Sequence, residues 1–110
     1  MRYLICGDIH GNLPALELML QKEKGNFDLL ICHGDVVNYG PWSDECVLLL
    51  NSLENSVILK GNHENYFLNG FYSGTNAIAI AFFNFCFQKF SQFDIIKKYG
   101  DIFELTNYKI

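Results

Sequence analysis

Three short stretches of this chain combine side chains that bind cations with glycines that let a backbone turn: Gly7-Asp8-Ile9-His10-Gly11-Asn12, Gly34-Asp35 and Gly61-Asn62-His63-Glu64. Asp8 and His10 stand two residues apart, so in an extended segment they point to the same side and can clasp one cation. Asp35 carries two oxygens, enough to bridge two cations, and Asn62 offers a neutral carbonyl oxygen that adds a ligand without adding charge. Carboxylate, imidazole and amide donors without thiolate suit Mn²⁺ foremost, with Fe, Zn²⁺ or Mg²⁺ as alternatives. Two such cations about 3.5 to 4 Å apart clamp a phosphate and ready a water for in-line attack.

That chemistry requires the three stretches to meet, and the elements between them are of the right kind. Arg2 to Cys6 is an apolar run of strand length ended by Gly7. Asn12 is placed to cap a helix with Pro14 in its first turn, and Leu13, Leu16, Met19 and Leu20 mark one face up to Gly25. Phe27 to Cys32 has the unbroken apolar character of a parallel strand covered on both faces. Ser43-Asp44-Glu45 supplies a cap and first-turn acids for a second helix, with Cys46, Leu49, Leu50 and Leu53 on one face. Ser56 to Lys60 is a third strand. The alternation predicts an α/β fold that begins βαβαβ, with a parallel sheet and each metal-capable stretch at a strand's carboxyl end, where open parallel sheets bind ligands.

Beyond His63 the pattern is less directive. Tyr66 to Gly74 reads as a loop, with room for one helical turn. Thr75 to Phe90 reads as a helix with Ile78, Phe82, Phe85 and Phe93 on one stripe, although Ala77 to Phe82 also alternates as a strand does. Ser91 and Asp94 have capping-box spacing for a short helix that Gly100 can stop, and Asn107 to Ile110 begins another strand. The phenylalanines from 82 to 93 read as core, with part of their cover outside this chain, so self-association through residues 77–93 is expected.

The bulk properties exclude several classes. A chain of 110 residues, half apolar, has room for one domain. A net charge of −4 provides no basic field for a nucleic acid, although bound cations reverse the sign locally. Cysteines 6, 32, 46 and 86 lack zinc-finger and C-x-x-C spacing and read as reduced, which points to the cytoplasm. The N-terminal apolar run is too short for a signal peptide, and Ala77 to Phe83 falls well below the roughly 18 residues of a membrane span.

The three stretches, with Gly34-Asp35-Val36-Val37-Asn38-Tyr39-Gly40-Pro41 in the second, resemble in order and spacing the first three motifs of the calcineurin-like metallophosphoesterases, of the small prokaryotic phosphodiesterase type. The resemblance implies that Asp8 and His10 bind one metal, Asp35 bridges, Asn62 binds the second, and His63 assists the leaving group or orients the phosphate. It implies hydrolysis of a phosphomonoester or phosphodiester, with a small molecule or nucleotide as substrate. It also implies a four-layer α/β/β/α sandwich, of which residues 1–110 are the N-terminal half of a single domain cut short at its C-terminus. Tyr39 stands where serine/threonine phosphatases carry an arginine, which argues against a phosphoprotein substrate. The family's later Gly-His and Gly-His-x-His segments have no counterpart after His63, so the metal site is expected to be incomplete. The alternative function is a non-catalytic interaction or scaffold module on this fold, or a decayed inactive copy. His33 reads as packed or hydrogen-bonded rather than ligating, Glu64 as a first-turn acid or a site residue, and Asn38 and Tyr39 as substrate contacts, with a turn role equally open to Asn38.

Overall fold

The computed structural model describes residues 1–105 and 108–109. It opens with β1 (Tyr3–Cys6), α1 (Leu13–Lys22), β2 (Leu29–Cys32), α2 (Ser43–Asn51) and β3 (Ser56–Ile58). The strands are parallel in the order β1-β2-β3, and Cys6, Cys32 and Ile58 lie level across the sheet. The loops that follow therefore emerge side by side, with that of Asp35 in the middle. Asn12 caps α1 as expected, its side-chain oxygen accepting from Ala15 N at 3.2 Å. The cap expected of Ser43 is not made: Trp42 is the N-cap, and the Ser43 hydroxyl accepts from Asn38 N–H at 3.1 Å. Its oxygen holds the preceding loop instead of its own helix.

One sheet face, with Leu4, Cys6, Leu30, Cys32 and Ile58, packs against Leu16 of α1 and Val47 and Leu50 of α2. Each such buried aliphatic side chain stabilises the fold by roughly 1.5–3 kcal/mol. β2 is buried almost throughout, as its apolar run predicted, whereas Tyr3 and Ile5 on the other face of β1 are 43% and 53% exposed.

The second half is helical further than the sequence pattern suggested. α3 (Asn62–Asn69) runs two turns and takes in the first four residues of the expected loop, because Phe67 anchors it in the core and Gly70 ends it at φ 69°, its N–H on Phe67 O. α4 (Ala77–Lys89) is a helix capped by Asn76, whose oxygen accepts from Ile78 N and Ala79 N. Its buried stripe is not the expected one. Ile78, Phe82 and Phe85 face outward, while Phe83 and Cys86, with Phe90 just beyond, are buried. A helix apolar on nearly every side has no unique stripe to read, and the choice falls to ring fit: Phe67 meets Phe83, Phe87 and Phe90 edge-to-face at 5.6, 5.8 and 5.1 Å. Phe93, by contrast, packs inward against Phe87 and Phe90.

α5 (Phe93–Ile96) lacks the expected Ser91 capping box. Ser91 turns its N–H and hydroxyl to the Asp44 carboxylate at 2.8 and 2.5 Å, tying the end of α4 to the start of α2, because that charged acceptor outcompetes a local cap. Leu59 bridges to Gly100, and β4 (Glu104–Leu105) pairs antiparallel with β5 (Tyr108–Lys109). β5 falls within the strand expected from Asn107; Asn107 and Ile110 themselves lie outside the described residues. No helix among the described residues is long and apolar enough to cross a membrane.

Candidate metal centre

The first and second loops are stitched together by backbone, and the third is held to the second by the Glu64 and Asp35 carboxylates. Asp8 N donates to Gly34 O, His10 N to Asp35 O at 2.9 Å, Gly11 N to Val36 O at 2.7 Å, and Gly40 N to His10 O at 2.7 Å. Two glycines are required by proximity. A Cβ at Gly40 would strike His10 O and the Gly11 carbonyl, and one at Gly61 would strike the Asp35 carboxylate and its backbone nitrogen. Among the described residues, the non-glycine residues with left-handed backbone are Asp8 (φ 51°), His10 (47°), Asp35 (57°), Asn38 (77°) and Tyr39 (72°). All five belong to these loops, and such conformations persist only where their surroundings hold them. Asp8 and His10 thus converge through two left-handed residues, not through the extended segment that their spacing suggested.

The result is a cluster. One donor atom from each of Asp8, His10 and Asp35 lies within 4.8 Å of the other two. His10 Nδ1 sits 3.1 Å from Val37 O, which can only accept, so the ring proton is on Nδ1 and the Nε2 lone pair is free. Nε2 stands 3.8 Å from Asp8 Oδ1, too far for a hydrogen bond and suited to a shared cation. Two oxyanions and an imidazole lone pair, converging without a proton between them, fit a divalent metal. Asn62 opens α3 and is exposed; its chain neighbours both touch Asp35, Gly61 by close approach and His63 by donating N–H to Oδ1 at 3.0 Å. His33 is exposed and lays its ring over Gly7, outside the donor cluster.

Two polar residues around this cluster are more consequential than their types alone indicated. Glu64 is fully buried, and its carboxylate accepts four backbone N–H bonds: Asp35 at 2.7 Å, Gly61 at 2.8 Å, Val36 at 2.9 Å and Val37 at 3.2 Å. Burial pushes its pKa up, and these N–H groups oppose the shift. Glu64 is more than a first-turn acid: it clamps the second loop to the third, and its capping-box position three residues after Gly61 was the available signal. Asn38, also fully buried, accepts from Tyr39 N at 2.9 Å through Oδ1, which orients its amide so that Nδ2 donates to His63 Nδ1 at 3.1 Å. His63 therefore holds its proton on Nε2. Burial first, then the His10 imidazole, holds the His63 pKa below its ordinary value, against the pull of Asp35 and Asp8.

A calcineurin-like phosphoesterase family model matches residues 1–109. The chain belongs to that family. Across 99% of its length this family member superposes on 45% of a metallophosphoesterase from Sphaerobacter thermophilus, at 28% identity and a TM-score of 0.78. It therefore has the mixed α/β fold, with parallel sheet and helices, of the N-terminal part of that structure. A serine/threonine phosphatase from Saccharomyces cerevisiae matches at 28% identity and a TM-score of 0.58, over 87% of this chain and 31% of the yeast one. An uncharacterized protein of Methanocaldococcus jannaschii is 39% identical over 61 residues, 54% of this chain, and a symmetrical bis(5′-nucleosyl)-tetraphosphatase of Psychromonas ingrahamii is 38% identical over 71 residues, 62% of this chain. The chain spans only 25% and 26% of the lengths of these two relatives.

Proposed function

We propose that this calcineurin-like phosphoesterase hydrolyses phosphomonoester or phosphodiester bonds of a small molecule or nucleotide, with Asp8, His10 and Asp35 holding one divalent cation and Asp35 and Asn62 reaching a second. What carries the reading is the convergence of three donor atoms within 4.8 Å, one of them an imidazole nitrogen whose lone pair is kept free by Val37 O. When bound, Mn²⁺ or a similar cation supplies Lewis acidity toward the phosphoryl group and a water that ionises near neutral pH. His63 holds a proton on Nε2 beside His10, whose ring centre is 4.7 Å away, and so can donate a hydrogen bond to a phosphoryl or leaving oxygen. Asn38 keeps that proton in place, Glu64 holds the Asp35 loop in register, and the amino end of α3 favours the Asp35 anion.

Among the described residues His10 is the only imidazole in the ligand cluster, so the donor set they offer a second cation is short, and we read them as part of a larger domain's site. The expectation is one divalent ion bound weakly and slow hydrolysis of a bis-aryl phosphate. Calorimetry with Mn²⁺ should give a single site weakened at least tenfold by Asp8→Asn. Two tight sites with fast turnover would overturn the incompleteness, and no Mn²⁺ binding at all would overturn the function. The second reading, an interaction module or inactive copy, draws on the outward Ile78 and Phe85, 70% and 55% exposed, which suit self-association. Unchanged dimerisation in a metal-blind Asp8→Asn chain, with no hydrolysis by the parent, would favour it. Four free cysteines suit a reducing compartment, the cytoplasm.

A further inference from the structure

We propose that Tyr39 and Phe82 form a stacking corner for a planar aromatic group carried on the phosphoester, which makes aryl or nucleobase-bearing phosphoesters the preferred substrate class. This rests on the phosphoesterase reading and goes beyond it. Tyr39 is fixed beside the metal-binding side chains: its ring centre is 5.0 Å from that of His10 and 5.1 Å from that of His63. Its position is imposed by a left-handed backbone, by the Asn38 oxygen on its N–H, and by the Gly40 N–H on His10 O. Phe82 comes from a different element, α4, and meets Tyr39 at 5.9 Å with the ring planes 79° apart.

Two rings at that angle make a corner in which a planar group stacks on one face and presents its edge to the other. Both rings remain open to solvent, Tyr39 by 38% and Phe82 by 44%, and beyond Phe82 an apolar trough of about 390 Å³ continues along Ala77, Ile78, Ala81 and Phe85. Tyr66 and Tyr72 extend the same wall from His63, ring to ring at 5.5 and 5.1 Å. These side chains are uncharged; Lys89 places its ammonium 4.4 Å from the Phe85 ring centre at the far end of the trough, while at the Tyr39–Phe82 corner what the wall offers is aromatic contact.

Calorimetry in saturating Mn²⁺ with two matched pairs decides the matter: phenyl phosphate against methyl phosphate, and adenosine 5′-monophosphate against ribose 5-phosphate. The aromatic member of at least one pair should bind roughly fivefold or more tighter, the size of one stacking contact. Phe82→Ala should shrink that ratio; should the variant not fold by circular dichroism, Phe82→Leu keeps the packing and removes the π face. A larger ratio in the first pair names aryl esters, and in the second nucleotides. Equal affinities within both pairs, or ratios that Phe82→Leu leaves untouched, would overturn the stacking corner while leaving the phosphoesterase reading intact. If inorganic phosphate itself fails to bind with Mn²⁺ present, both fall together.

Discussion

The loops that follow the three strands and the aromatic layer from α3 to α5 are both well packed, but by opposite means. In the loops, order comes from polar groups with fixed geometry: five non-glycine residues in left-handed backbone, a carboxylate with four N–H partners, and glycines where two backbones touch. In the aromatic layer, order comes from ring fit around Phe67, and the polar contact recorded for the inward face of α4 among the described residues is the weak one from Cys86 Sγ to Gly40 O at 3.6 Å. The first kind of order fixes atoms to a few tenths of an ångström, as a metal site requires. The second supplies stability and leaves Ile78, Phe82 and Phe85 exposed, with Phe82 meeting Tyr39 of the second loop.

The sharpest way to break this contrast is Glu64→Ala. The variant strands the N–H groups of Asp35, Val36, Val37 and Gly61 in the interior, each costing about 1–3 kcal/mol where water cannot reach. We expect a loss on the order of 4 kcal/mol in urea denaturation, a large share of the 5–15 kcal/mol typical of a domain. A loss under about 1 kcal/mol would mean that the loops are held without the clamp. Phe67→Ala probes the other region and should cost about 3–5 kcal/mol, since it opens a cavity under three rings. It should spare Mn²⁺ affinity in whatever fraction stays folded, whereas Glu64→Ala should reduce both. Phe85→Ala, on the exposed stripe of the same layer, should stay within about 0.5 kcal/mol of the parent. A cost comparable to that of Phe67→Ala would return Phe85 to the core, where the helical periodicity had put it.

The same contrast explains what was legible in the sequence. The βαβαβ order and the meeting of Asp8, His10 and Asp35 follow from strand-length apolar runs that end in glycine and cation-binding residues, signals that few alternatives mimic. The roles of Glu64, Asn38 and Ser43 were not legible, because one carboxylate or amide or hydroxyl at a helix start satisfies a local cap as well as a distant loop. Only the fold reveals that Glu64 reaches 29 positions back along the chain to Asp35. The face of α4 was illegible for the reverse reason: Ile78, Phe82 and Phe85 have the spacing of a core stripe, and so do Phe83, Cys86 and Phe90.

The smallest expected effect tests the polar order at one atom pair. His63 is buried, and its pKa lies below the ordinary 6.5, so the unfolded chain takes up a proton more readily than the folded one as pH falls. Its contribution to stability is therefore full above about pH 6.5 and declines as pH drops from there through the lower folded pKa. Asn38→Asp places a carboxylate where the amide now donates to Nδ1, and a carboxylate there favours the imidazolium. The His63 pKa should then rise, and the decline of stability between pH 7 and 5 should flatten or reverse. Proton NMR of the His63 ring against pH, on the metal-free chain so that bound cations do not compete, reads the shift directly. An unmoved titration would mean that Asn38 does not govern the His63 proton, and the assignment of that proton to Nε2 would fall with it.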